Sequence, residues 1–137
     1  MSDANKFLAG RWFELQGSQD LDRIDEVLDK TYVWHGPGGV TVKGQDGMLE
    51  MRGTYFTAFP DLRFTIEDQL ADGDKVITRW TVRGTQNGAF EGIAPTGKSI
   101  TMIGISIVRA EGGKLVEEWE NLDELGMMRQ IGTVPPA

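Results

Sequence analysis

The stretch Lys98-Ser99-Ile100-Thr101-Met102-Ile103-Gly104-Ile105-Ser106-Ile107-Val108-Arg109-Ala110, Glu111-Gly112-Gly113, Lys114-Leu115-Val116-Glu117-Glu118-Trp119-Glu120-Asn121-Leu122 decides the fold. Two strand-like runs flank a glycine pair with hairpin-turn chemistry. Working upstream, Leu62–Leu70 and Lys75–Thr85 are strand-like too, separated by Asp72-Gly73-Asp74. Two of the four strands are long. Eleven to thirteen residues at ~3.3 Å each span about 40 Å, so such strands must bend to stay in a small domain.

The first half has helical spacing instead. Residues 4–16 place Leu8, Trp12 and Leu15 on one face, with Phe7 beside them. A second helix is expected over 20–29, with Leu21, Ile24, Val27 and Leu28 on one side and charges on the other. Thr31–His35 is a short strand cut off by Gly36-Pro37-Gly38-Gly39. A third helix over 45–58 carries Met48, Met51, Tyr55 and Phe56, is weakened by Gly53, and ends before Pro60. Asp123–Gln130 closes the chain as a short helix, followed by a frayed tail over 133–137. Helices followed by an antiparallel meander predict an α+β domain, with the helices on one face of the sheet. One domain over 1–137 suffices.

Composition narrows the function classes. The 137 residues carry a net charge of −7 with the acidic excess scattered, which argues against nucleic acid and anionic membrane. No cysteine excludes disulfides, thiolate chemistry and cysteine-bound zinc. One histidine rules out a multi-histidine metal site within the chain. The opening residues lack the apolar core of a signal peptide, and no run approaches a membrane span, so a soluble cytoplasmic protein is expected. Neither a dinucleotide fingerprint nor a phosphate loop is present. No cofactor and no metal are expected.

Several phrases then resemble one family. Phe90-Glu91-Gly92-Ile93-Ala94-Pro95-Thr96-Gly97-Lys98 looks like its G-x-x-P-T-G-K/R turn. Gly113-Lys114-Leu115-Val116-Glu117-Glu118-Trp119, with Asp123, Gly126 and Arg129-Gln130-Ile131-Gly132, looks like its ending. With Phe59-Pro60-Asp61 these phrases cover roughly residues 55–132 and resemble the SnoaL-like polyketide cyclases. The resemblance implies the cone-shaped fold shared with nuclear transport factor 2 and ketosteroid isomerase. There a strongly bent, mostly antiparallel mixed sheet and the N-terminal helices enclose an apolar pocket. It also implies a homodimer through the outer sheet face. Fold alone does not settle activity.

Alternation puts Glu118, Glu120 and Leu122 on one face of their strand, and Trp119 and Asn121 on the other. The resemblance places Glu120 where the cyclases carry a catalytic aspartate. A carboxylate in an apolar hollow has its charged form disfavoured, which suits proton transfer. The plainer reading is a solvated strand edge of Glu117, Glu118 and Glu120. Arg79, within Val76–Arg83, matches an arginine that bridges two aspartates in limonene epoxide hydrolases. Thr81 stands where their second acid would be. A surface arginine at a dimer interface is the alternative. His35, before Gly36-Pro37, matches a cavity-lining polar residue and could shuttle a proton, although a lone histidine is more often structural. Ser106 sits where aromatic-polyketide cyclases have a histidine, and serine can orient a ligand but is a poor acid or base.

The expected site is therefore Glu120, Arg79 and His35 as the reacting set, with Ser106, Trp34, Tyr55, Phe59, Glu118 and Leu122 around a small hydrophobic ligand. The activity expected first is cofactor-independent acid/base chemistry, a cyclisation or isomerisation of a carbonyl or polyketide-like compound. A non-catalytic binder of hydrophobic molecules comes second, and epoxide hydrolysis third.

Overall fold

The four strand-like runs pair in order, and the irregularities of the sheet can be located. In a computed structural model describing residues 2–133 and 135, β3 (Arg63–Asp72), β4 (Lys75–Thr85), β5 (Ser99–Glu111) and β6 (Lys114–Leu122) form the expected antiparallel meander. The sheet continues through β1 (Leu28–His35) to the short β2 (Thr41–Lys43), in the order β2-β1-β6-β5-β4-β3. Among the described strands only β1 and β6 run parallel. The sheet is therefore mixed. Registers shift between Ile66 and Asp68 on β3, and between Arg109 and Ala110 opposite β6. On β6 the shift makes Val116 the additional residue, so Leu115 and Glu118 both face inward although three positions apart.

Helix α1 (Ser2–Ser18), helix α2 (Gly44–Ala58) and the short α3 (Glu124–Ile131) lie against this sheet. Asp123 caps α3 by accepting the Gly126 amide at 2.9 Å, and Gly132 ends it with φ 87°. Gln130 then ties α3 to β5 by accepting the Thr101 amide and donating to its carbonyl. The helix expected over 20–29 is a 3-10 segment of six residues, Leu21–Glu26, and Leu28 already belongs to β1. Leu21, Ile24 and Val27 repeat every three residues, which suits three residues per turn, and Leu28 pairs with Leu115. Thr133 and Pro135 of the tail are exposed, while the other residues of 133–137 lie outside the described residues.

Two apolar clusters fill the inner side. One gathers Trp12, Tyr32, Trp34 and Met48 with Leu115, and the other gathers Phe13, Phe59, Trp80, Phe90 and Met102. Gly104 lies opposite Trp80 across β4 and β5, and a side chain there would collide with the indole ring. Glycine is what lets that ring lie flat over the strand. Among the described residues, no helix is long and apolar enough to cross a membrane.

Candidate functional site

Between the two clusters the sheet carries three buried charges. Glu118 and Glu120 project inward from β6, and Arg52 reaches them from α2; each is under a tenth exposed. Glu120 Oε1 accepts from Trp34 Nε1 and from Arg52 Nη2, both at 3.1 Å. Its Oε2 accepts from Ser106 Oγ at 2.8 Å, and Ser106 in turn accepts from Trp80 Nε1 at 2.9 Å. Glu120 thus joins an indole of the first cluster to an indole of the second. Arg52 also lies over the Trp34 ring, 5.9 Å from its centroid. Burial works against the guanidinium charge, but Glu120 and Glu118 outweigh it and hold Arg52 above its ordinary pKa.

Glu118 lies behind this pair. Its Oε1 accepts from Trp12 Nε1 at 3.2 Å and from the Tyr32 hydroxyl. Burial, and then the Glu120 charge, push its pKa up to about 7, against the lowering pull of Arg52, Tyr32 and Trp12. Tyr32 is raised by its own burial and by Glu118.

Glu120 faces a narrow hollow of about 30 Å³, space for roughly two waters. Its walls include Trp34, Arg52, Tyr55, Phe64, Met102 and Leu122. Among the described residues, Arg52 and Glu120 are the only charged groups lining it. Burial, and then Glu124, push the Tyr55 hydroxyl up to about 12, so it stays a donor near neutrality. Among the described residues no group of three or more His, Asp or Glu side chains is close enough to hold a metal ion.

The sequence-based site is rearranged accordingly. Glu120, Trp34, Tyr55 and Leu122 line the hollow, and Ser106 supports Glu120 from behind. Arg79 does not meet Glu120. On β4 the inward positions are Val76, Thr78, Trp80 and Val82, so Arg79 is exposed on the outer face beside Ile105. Thr81 bonds Glu67 at 2.9 Å. His35 is displaced by the same alternation. Trp34 takes the inward slot, while His35 stacks on Trp119 at 5.6 Å and bonds Glu117 at 2.7 Å, which lowers the Glu117 pKa. Phe59 is core, packed on Phe90 at 5.7 Å, and Glu118 is sealed away from the hollow.

Arg52 was not foreseen from the sequence. It follows Met48 by four residues and precedes Tyr55 by three, so it sits in the inward stripe of α2. A charge within an apolar stripe was the available signal.

The raised Glu118 pKa has a consequence for stability. A group that binds its proton more tightly when folded stabilises fully below its unfolded pKa of 4.5, and that gain is lost as pH rises through about 7. The loss is about 3 kcal/mol at 1.36 kcal/mol per unit. Urea unfolding across this window should therefore show wild type losing about that amount of stability relative to Glu118→Gln as pH rises. A constant difference would contradict the assignment.

The family and the fold have known counterparts. The model of the SnoaL-like polyketide cyclases matches residues 6–131. A proposed SnoaL-like polyketide cyclase from Jannaschia sp. CCS1 superposes with a TM-score of 0.90 at 23% identity, covering 98% of this chain and 96% of that one. AclR, a proposed hydroxylase from Streptomyces galilaeus, gives 0.90 at 26% identity, covering 100% and 86%. IdmH, a proposed polyketide cyclase from Streptomyces antibioticus, gives 0.84 at 29%, covering 93% and 98%. No curated protein matches the chain. With the family model spanning all but the two ends, and the bent mixed sheet superposing on solved members, the chain belongs to the SnoaL-like polyketide cyclase family.

Proposed function

We propose that the protein is a cofactor-independent acid/base enzyme of the cyclase or isomerase type, acting on a small, neutral, hydrophobic carbonyl compound. The single observation that carries this reading is Glu120, a carboxylate in the wall of an apolar hollow, fixed by three donors. The solved relatives carry different names, a cyclase and a hydroxylase, so the chemistry has to be argued from the side chains.

Glu120 would take a proton from the carbon next to the substrate carbonyl. The C–H electron pair becomes the enolate, whose oxygen needs a donor. Arg52 Nη1 suits that task, because its contact is the weak acceptor Met51 Sδ at 3.7 Å. In a cyclisation the enolate carbon attacks a second carbonyl of the same molecule. A C–C bond forms, and the proton held on Glu120 passes to the new alkoxide. In an isomerisation the proton returns to a different carbon. Arg52 takes the role first expected of Arg79 and His35.

Admitting such a substrate requires the walls to give. Met51, Phe56 and Phe64 are half-buried, and methionine repacks at low cost. A second reading, a binder without turnover, is favoured by the same snugness: both Glu120 oxygens already have donors. Epoxide hydrolysis has no comparable support, since Arg79 and Thr81 do not reach Glu120.

Two experiments test these proposals. A panel of neutral 1,3-dicarbonyl compounds in deuterated buffer, followed by NMR, should show protein-dependent deuterium exchange at the activated carbon. Glu120→Gln should slow it about 10²–10⁴-fold with the fold retained by circular dichroism. Thermal-shift binding that persists in that variant, with no exchange in either protein, would establish the binder instead. For assembly, we propose that a second copy covers the outer sheet face, where Leu70 and Ile103 are each 60% exposed and Ile105 is 49% exposed. Sedimentation should give a dimer that Ile105→Glu disperses, and a wild-type monomer would reject it.

A further inference from the structure

The interior holds two carboxylates and one guanidinium among its described residues. Only one carboxylate is bonded to the guanidinium, since Arg52 donates to Glu120 and not to Glu118. Two of the side-chain atoms left without a protein partner are complementary. Arg52 Nε is a buried donor with no acceptor, and Glu118 Oε2 is a buried acceptor with no donor. Leaving either unmet costs free energy, so a movement that joined them would satisfy both. It would also loosen the hold on Glu120.

The groups facing Glu118 come from each neighbouring element. They are Trp12 from α1, Tyr32 from β1, Arg52 from α2 and Glu120 from its own strand, while Val108 opposite on β5 is apolar. Arg52 is the one cation in that set. With both carboxylates ionised the group carries one excess negative charge in the interior, and one proton removes it.

We infer that Glu118 is a positioning residue for Glu120: the two carboxylates share Arg52, and ionisation of Glu118 draws the guanidinium off the cavity carboxylate. While Glu118 holds its proton, Arg52 serves Glu120 alone. Once Glu118 loses the proton, its Oε2 draws Arg52 Nε, the Nη2 hold on Glu120 slackens, and Glu120 faces the hollow with one donor fewer while Nη1 stays available there. Glu118 acts without touching substrate. Its functional consequence rests on the reading of Glu120 as the reacting group, but the arrangement can be tested without turnover.

The test is an NMR titration of the full chain labelled with ¹³C and ¹⁵N. The Glu118 carboxyl carbon, the Glu120 carboxyl carbon and the Arg52 Nε resonance should inflect at one common midpoint near neutrality. In Glu118→Gln the inflection at the other two sites should vanish. In Glu120→Gln the Glu118 midpoint should fall by about one unit or more, because Arg52 then serves it alone. A flat Arg52 Nε signal while Glu118 titrates would overturn the inference, even if Glu118→Gln failed to fold. So would an inflection at Glu120 that survives that substitution. Absence of deuterium exchange would count against the proposed activity only, because this titration reads protonation and hydrogen bonding.

Discussion

A buried carboxylate held by an arginine from another element is the constraint around which this structure is arranged. Glu120 on β6 and Arg52 on α2 come together at 3.1 Å in an interior that would not tolerate either charge alone. The pair fixes where α2 lies against the sheet. It also sets the orientation of Trp34, whose indole nitrogen donates to the same oxygen, and of Ser106, which donates to the other. Through Ser106 the constraint reaches Trp80, and Trp80 can lie where it does because residue 104 has no side chain.

Backbone irregularity aims these groups. The extra residue at Val116 puts Leu115 into the first cluster and keeps Glu118 and Glu120 facing inward beyond it. The parallel register sets Trp34 beside Glu118 and His35 beside Trp119. Trp34 therefore enters the site and His35 leaves it. A hydrophobic hollow with one ion pair in its wall follows from these placements, and so does an outer face exposing isoleucines.

The sheet was legible because its signals are local. Lys75–Thr85 and Lys114–Leu122 read as strands with the ends they have in the structure, and the two turns between long strands carry glycine pairs or Asp-Gly. Alternation also placed Glu118, Glu120 and Leu122 on one face. Arg52 was harder to see because its role depends on which helix face meets the sheet, and an arginine in an amphipathic stripe is ordinarily a stripe edge. Arg79 misled because a motif records spacing but not facing, and one step of alternation separates the hollow from solvent. The second helix failed for a related reason: a three-residue repeat fits a 3-10 turn as well as an α-helix.

The ion pair at the centre is most directly tested by a thermodynamic double-mutant cycle between Arg52→Met and Glu120→Gln, read by urea unfolding. Each single change strands a buried charge or its donors, so the double variant should be less damaged than the sum of the singles. A coupling of about 2 kcal/mol or more is expected. Additivity within about 0.5 kcal/mol would mean that the two side chains do not depend on each other, and the site as described would not stand.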